Sequence, residues 1–484
     1  MKRSFADILA GLDGERARKV ARKLPEWAAA GAEIPSALSL EQCSSAATAR
    51  YKACLACQLA SRATQAATAS GNTATLGTLR GGTASEAKRW GPTKEDVSGG
   101  SSPLREAGNA DTILDLTGGL GVDSWAFSRV AERVVSYERD AVLAEAAKRN
   151  FARLGADNIE VRCETVTPET DLPEADLIYA DPARRNAAGR KVFLLEDCTP
   201  DILTLLPMLW KKAPAILLKL SPMADLTMLV QRLGPALQEI HVVESDGEVK
   251  ELLCLLTRAA VPAEPEIAIV LLASRSGQLP PETSFGPHRC ASLAVPPLNM
   301  PRVAVFQEAV PADVPQESVL RLRMAEEQEA EAVFAAGVQP GDTLLEPCPA
   351  LLKAGAFNLP CARWGLRKLA PSTHLYLAPA PPGANTPDFA PGNPDFPFPG
   401  ADSYPGAPGG PWFKAWRVLE VLPFGTAAFR QVRQRWPHAE VTTRNLPLGS
   451  EALQKKMGVS PGGDTHIFAC RVADGSAVLI VTER

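Results

Sequence analysis

Thr112-Ile113-Leu114-Asp115-Leu116-Thr117-Gly118-Gly119-Leu120-Gly121-Val122-Asp123 is the stretch on which the reading of this chain turns. An apolar run too short for a helix ends on a carboxylate and passes into a glycine-rich turn. Ser124-Trp125-Ala126-Phe127-Ser128 then opens a helix. Strand, turn and helix in that order begin a doubly wound nucleotide-binding sheet. The glycines let the backbone approach a ligand where a Cβ would clash. The helix start behind them offers unpaired N–H groups at a positive dipole end.

Outward from this unit, residues 111–258 alternate strand and helix. The strands are Thr112–Leu116, Arg133–Tyr137, Ile159–Arg162, Asp176–Tyr179, Ala215–Leu220, Glu239–Val243 and Lys250–Leu256. The helices are Ser124–Val130, Val142–Leu154, Cys198–Leu209 and Ala224–Leu233. Ser245-Asp246-Gly247-Glu248 joins the last two strands, and an Asp-Gly turn signals a hairpin. The pattern predicts an α/β domain over 110–260, a parallel sheet with its final strand reversed.

The flanks differ in composition. Residues 1–60 read as helical, interrupted at Leu24-Pro25-Glu26-Trp27. Ser39-Leu40-Glu41-Gln42 has the form of a capping box, predicting a helix through Tyr51 towards Leu59 on which Arg50 and Lys52 form a solvated face. Residues 61–109 are rich in Ser, Thr, Ala and Gly and too poor in large apolar residues to offset their ordering entropy, so they read as a flexible linker or insertion. Residues 261–340 form a connecting region, with a strand at Ile267–Leu272 and a helix from about Ser318 to Ala335. Residues 341–484 read as a smaller α+β domain. It holds a strand at Asp342–Leu345, a helix at Ala350–Phe357 and an irregular Pro/Gly-dense insertion over 379–412. Alternating elements follow from Arg417 to Val481.

The 484 residues carry a net charge of −4, so any nucleic-acid surface is a local patch and not a global property. The N-terminus lacks the apolar core of a signal peptide, and no apolar run spans a bilayer. Ten scattered cysteines fit reduced thiols in a cytoplasm. Cys54 and Cys57, with Cys43 nearby, lack a fourth ligand at zinc spacing; they read as helix-face residues, and no metal is expected.

Gly119-x-Gly121-x-x-Ser124 departs from a dinucleotide fingerprint at its third glycine, and Glu138 ends the second strand where an acidic residue accepts ribose hydroxyls. The fourth strand runs into Asp181-Pro182-Ala183-Arg184-Arg185. Each motif has a bland reading beside the functional one. Asp115 and Glu138 can merely cap helices, and Asp181-Pro182 can be a plain turn. Arg184 and Arg185 can bind a phosphate or a carboxylate, or be surface charge, and Glu164 can be a loop residue. Cys198 has no activating base nearby in sequence and reads as buried. Lys353, Arg363, Arg367, Lys368, Arg430, Arg433, Arg435 and Arg444, interleaved with Trp364 and Trp436, are a local basic excess. That excess suits a phosphate backbone or a solvated face equally.

Asp115 to Gly121, Glu138 and Asp181-Pro182-Ala183-Arg184 together resemble the class I S-adenosylmethionine-dependent methyltransferases. The last stretch is similar to the Asp-Pro-Pro-x motif of enzymes that methylate nucleic acids. Ala183 replaces the second proline, and Arg184 stands where amino-methylating enzymes place an aromatic. With Leu38–Ser45, Leu352–Phe357 and Arg444–Leu448, the chain resembles a bacterial family in which a methyltransferase core precedes a THUMP-like domain. The resemblance implies a Rossmann-like seven-stranded sheet, S-adenosylmethionine as cofactor and, at second hand, RNA as partner. It implies that Thr117, Gly118, Gly119 and Gly121 hold the methionyl part, with Asp115 near its ammonium. Glu138 takes the ribose hydroxyls, and Glu164, or Cys163, faces the adenine amino group. Asp181, with Pro182 and Arg184, stands at the acceptor. A small-molecule methyltransferase, an inactive RNA-binding protein on the same fold and, disfavoured by Ser124, a nicotinamide-dependent oxidoreductase are the other readings.

Overall fold

The structure is a computed structural model that describes residues 5–73, 110–183, 198–258, 265–272, 319–379 and 410–484. Four helices come first: α1 (Phe5–Lys23), α2 (Pro25–Ala29), α3 (Ala37–Gln42) and α4 (Ala46–Thr73). Proline at the first position of α2 ends the preceding helix and starts the next, as the Leu24-Pro25 break predicts. The capping box lies one turn earlier than expected. Ser36 is the N-cap and Ser39 the N3 partner, their hydroxyls and N–H groups exchanging bonds of 3.0 and 3.2 Å. Ser45 and Thr48 make a second such exchange at the start of α4, at 3.1 and 3.2 Å. α4 extends to Thr73, into the segment read as linker.

β1 (Ala110–Asp115), α5 (Val122–Phe127), β2 (Ala131–Tyr137), α6 (Ala141–Arg153), β3 (Ile159–Arg162), β4 (Leu177–Ala180), α7 (Ile202–Lys212), β5 (Ala215–Leu220), α8 (Leu226–Leu233), β6 (Leu237–Ser245) and β7 (Glu248–Thr257) follow. Asp140, Asp201 and Asp225 cap α6, α7 and α8 through their carboxylates. β1 pairs parallel with β2 and β4, β2 with β3, and β4 with β5, while β5 pairs antiparallel with β7. The run β3-β2-β1-β4-β5-β7-β6 has its reversed strand where the hairpin signal places it. At that hairpin Asp246 and Gly247 both take positive φ, 56° and 71°, which suits a turn of the right twist for two strands. Ile113, Leu114, Val134, Val135, Leu177, Ile178, Ile216 and Leu217 are all 0% exposed. Consecutive buried residues on one strand mean that both faces of the sheet are covered.

The described residues fall into two compact units. Met1–Gln238 and Leu252–Ala263 belong to the first, and Glu239–Glu251, Glu264–Leu271 and Gln316–Arg484 to the second. Within the second unit β8 (Glu266–Leu272) pairs antiparallel with β9 (Val319–Leu322). The helix expected over Ser318–Ala335 is therefore a strand followed by a short helix, α9 (Met324–Glu329). β-branched Val319 and the pairing with β8 make the first residues a strand, and Arg321 sits between Glu239 at 3.1 Å and Glu266 at 2.6 Å. Next come β10 (Thr343–Pro347), α10 (Pro349–Lys353), α11 (Leu359–Trp364), β11 (Arg367–Lys368) and β12 (Tyr376–Leu377). The helix expected to reach Phe357 stops at Lys353 because Gly355 turns left-handed, at φ 77°.

β13 (Phe413–Pro423), α12 (Thr426–Arg435), β14 (Glu440–Arg444), α13 (Ser450–Met457), β15 (Thr465–Arg471) and β16 (Ala477–Glu483) close the chain. A seven-stranded sheet of order β11-β12-β10-β13-β16-β15-β14 organises this part. Ile467, Ala469, Leu479 and Val481 face one cluster with Val432, Leu453 and Met457. Phe468, Cys470 and Ile480 face another with Leu344, Trp416 and Val418. The strict alternation covers both sides of the sheet.

Candidate active site

The corner after β1 is built by backbone and carboxylates. Gly118 N–H donates to Tyr137 O at 2.7 Å, and Gly121 N–H to Gly118 O at 2.8 Å. A Cβ on Gly118 would stand 2.3 Å from Ser136 Oγ, and one on Gly121 2.5 Å from Phe151 Cζ, so these two glycines are demanded by packing. Gly119 has φ 55° and its Cβ direction is open apart from Thr117 O at 3.8 Å. It is the glycine that leaves room for something outside the protein.

Asp115 lies beneath this turn. It is 0% exposed and accepts from Thr117 N at 3.0 Å and Ser124 Oγ at 2.5 Å. Burial pushes its carboxyl up to about 7, against the pull of the Ser124 and Thr117 bonds. Glu138, half-buried at the end of β2, accepts from Gly119 N with one oxygen and from Asp140 N with the other, both at 2.7 Å. Beside it Val142, the second residue of α6, is 64% exposed, an apolar side chain with little to cover it. Glu164 and Cys163 are exposed past the end of β3.

The corner after β4 meets the corner after β1. Asp181 N–H donates to Thr117 Oγ1 at 2.7 Å, and Leu116 N–H to Tyr179 O at 3.0 Å. Pro182 is buried, and Ala183 exchanges two backbone bonds with Thr199, at 2.8 and 3.0 Å, which pin the turn. The Asp181 side chain, 35% exposed, forms an ion pair with Lys219 on β5, itself 13% exposed. Asp181 thus joins Thr117, Asp115 and Glu138 at the carboxyl edge of the sheet, where open α/β sheets bind ligands. Arg184 and Arg185 lie outside the described residues. Cys198 is half-buried where burial was expected.

Sequence reasoning missed a second cluster beside this one. Lys52, expected on a solvated face, is 0% exposed; Arg50 is exposed and pairs with Glu26 at 2.6 Å. Lys52 Nζ lies 3.2 Å from Asp123 Oδ1, an ionic contact without hydrogen-bond alignment, and donates to Ser44 Oγ at 2.9 Å. Ser44 Oγ and Tyr179 Oη both donate to Asp123 Oδ2 at 2.8 Å. Burial alone would raise the Asp123 carboxyl, but Lys52, Lys219 and the two hydroxyls hold it below its ordinary range. The signal for Lys52 was its spacing: three after Ala49 and four before Ala56, it falls on the buried stripe of α4.

Much of the C-terminal basic excess is already neutralised. Arg363 pairs with Glu326, Arg444 with Glu346 at 3.1 Å, and Arg435 with Glu420 while lying 4.2 Å over Trp436. Lys368 is 2% exposed and donates to Asn358 Oδ1 at 3.1 Å. Arg430 and Arg433 remain exposed on α12.

Residues 413–484 match a family model described as THUMP domain-like, and residues 344–382 one described as a ferredoxin-like domain. The chain is similar to a crystal structure of a "putative methyltransferase" from Porphyromonas gingivalis W83. That likeness has 27% identity and a TM-score of 0.63, and covers 97% of this chain and 88% of that one. The chain has a methyltransferase-like fold with a THUMP-like domain at its C-terminus. The chain is also similar to a "putative methyltransferase" from Streptococcus mutans in complex with SAH. There the identity is 10% and the TM-score 0.25, covering 31% of this chain and 89% of that one. No curated protein matches the chain. The THUMP-like match starts at the beginning of β13 and takes in the strands from β13 to β16.

Proposed function

We propose that this chain is an S-adenosylmethionine-dependent methyltransferase that acts on RNA. The observation that carries the reading is the junction of two corners: Asp181 N–H on Thr117 Oγ1 at 2.7 Å sets a carboxylate directly beside the glycine turn. The residues fit the cofactor. Gly119 leaves its outward side open, Glu138 presents carboxylate oxygens to hydroxyl donors, and exposed Val142 offers an apolar face to a flat base. Glu164, exposed past the end of β3, offers a carboxylate acceptor for the base's amino group. Asp115, wholly enclosed, shapes the turn that receives the methionyl part, together with Thr117 and Gly118 to Gly121.

When bound, S-adenosylmethionine supplies a methyl group on a sulfonium sulfur. The protein's own work is alignment and proton handling. The turn and Glu138 hold the donor side, and Pro182 with the Ala183–Thr199 bridge holds Asp181 at the acceptor side. Fixing both partners converts a two-body encounter into a step within one complex. Asp181 accepts a hydrogen bond from the acceptor and takes its proton as the methyl transfers. The THUMP-like domain supports RNA as the macromolecule that brings the acceptor.

The test is incubation with labelled S-adenosylmethionine and total RNA, protein or metabolite fractions. Label is expected in RNA, and Asp181→Ala is expected to lose about 10²-fold or more in rate. Full activity in Asp181→Ala would overturn the catalytic assignment. Label in the metabolite fraction alone would replace RNA with a small acceptor.

A further inference from the structure

Strand alternation in the C-terminal sheet puts a set of polar side chains on one face. Lys414, Trp416, Thr442, Arg444, His466 and Arg484 project from the side that also holds Phe468, Cys470 and Ile480, and Glu346 on β10 joins them opposite Lys414. In the sheet order β14 stands four places from β10, roughly 19 Å in a flat sheet at about 4.8 Å per strand. Arg444 Nη2 nevertheless reaches Glu346 Oε1 at 3.1 Å, so the sheet curls and this face is concave.

Two donors inside the concave face have no acceptor. Trp416 is 7% exposed, with its ring 4.7 Å from that of His466, which in turn stacks on Phe468 at 4.3 Å. Trp416 Nε1 and Arg444 Nε are enclosed N–H groups without a partner among the described residues, and His374 Nδ1 is a third enclosed nitrogen in the same condition. The Arg444 charge acts on both His374 and His466, which places the three in one neighbourhood. At the rim Arg484 lies 5.4 Å over the Trp416 ring and Lys414 is exposed, and both act on His466. The carboxylates of this region are engaged elsewhere. Glu346 holds Arg444 through Nη2, Glu244 accepts from Ala350 N at 2.7 Å, and Glu440 accepts from Gly462 N at 2.8 Å. Glu327, which faces Lys368, takes the N–H groups of Asn358 and Leu359, both at 2.8 Å.

An enclosed N–H without an acceptor costs free energy, and a ligand oxygen would recover it. An indole N–H, a guanidinium N–H and two rim cations all ask for the same partner, an anion rich in acceptors. A terminal phosphate offers three oxygens to such a set, whereas a carboxylate offers two. It also enters a recess with its single ester bond pointing outward, while a diester within a chain would have to bring backbone in on both sides. We infer that this concave face binds a phosphate monoester, with Trp416 Nε1 and Arg444 Nε as the inner donors and Lys414 and Arg484 at the rim. The inference concerns the unit that does not hold Asp181 and stands independently of the methyltransferase reading.

The experiment is calorimetry on the full-length chain with inorganic phosphate, ribose 5-phosphate, ribose and acetate. Phosphate and ribose 5-phosphate are expected to bind, ribose not to bind, and acetate to bind at least about tenfold more weakly than phosphate. Trp416→Phe keeps the ring and removes one N–H, and Arg444→Lys keeps the charge beside Glu346 and removes the other. Each is expected to weaken phosphate about tenfold while melting within a few degrees of wild type. Should either fail to fold, exposed Lys414→Gln is expected to weaken phosphate severalfold. Asp181→Ala is expected to bind phosphate as wild type does. A short oligoribonucleotide with a terminal phosphate, set against the same oligonucleotide ending in a hydroxyl, distinguishes the sources. A preference of about tenfold for the first assigns the site to an RNA end, and equal affinity assigns it to a free phosphorylated metabolite. No binding of phosphate and ribose 5-phosphate by wild type, acetate bound as tightly as phosphate, or undiminished affinity in the folded variants overturns the inference.

Discussion

Burial pushes the Asp115 carboxyl up from its ordinary 3.8 to about 7, and Asp123 and Asp181 add to the rise. Between those two values the folded chain holds a proton that the unfolded chain has released. The Asp115 contribution to stability is therefore present below about pH 3.8 and declines as pH rises to about 7. Asp115→Asn should flatten that part of the pH–stability curve, measured by chemical denaturation from pH 4 to 8; an unchanged slope would remove Asp115 as its source. Gly121 and Gly119 separate structure from binding. Gly121→Ala places a methyl 2.5 Å from the Phe151 ring at φ 94° and should cost about 2 kcal/mol or more of stability. Gly119→Ala, at φ 55° in open space, should cost about 1 kcal/mol and instead weaken S-adenosylmethionine binding in calorimetry. The glycines, Glu138 and Asp181 were legible because strand-end carboxylates and glycine turns are local signals. Lys219 was not, because a lysine's burial depends on which carboxylate the fold brings to it; at Lys52 the helical spacing marked the buried stripe but not its partner Asp123.

At the scale of elements, the N-terminal helices belong to the site's construction. α4 delivers Lys52 and the preceding Ser44 to Asp123 at the second position of α5, and Trp27 meets Trp125 edge-on at 6.3 Å. Lys52→Met would leave the Asp123 carboxylate buried without its cation and should destabilise by about 3 kcal/mol. Adding Asp123→Asn should recover part of that loss, and strictly additive effects in the double mutant would show that the pair is not coupled. A second tie is Asn150 on α6, 0% exposed, which accepts from Glu33 N at 2.7 Å and donates to Glu33 O at 2.9 Å. Element types came through the sequence wherever a period ran long enough. The error at Ser318–Ala335 arose where four residues of strand precede a short helix, too brief for either period to declare itself. The capping box shifted by one turn because Ser36 and Ser39 are both competent caps, and only the backbone chose between them.

At the scale of the whole molecule, the unit holding the THUMP-like domain has a pH response opposite to that of Asp115. Burial lowers His374 and His466 to about 4 from 6.5, with Lys368 and Arg444 adding to the fall at the first and Lys414, Arg444 and Arg484 at the second. The unfolded chain binds protons there that the folded unit refuses. Their contribution is full above about pH 6.5 and is lost as pH falls towards 4. His466→Phe should make unfolding of this unit less acid-sensitive, followed by thermal melts from pH 7 to 4.5. The amino-acid order by itself determined the alternation of strand and helix, the reversed last strand and the carboxylates at the strand ends, since these follow from periodicity and turn chemistry within a dozen residues. The tertiary structure alone decided that Asp181 stands against Thr117 and Lys219, and that Lys52 is sealed against Asp123. Those neighbours lie far apart in the chain, and charge burial is set by packing, which no local pattern encodes.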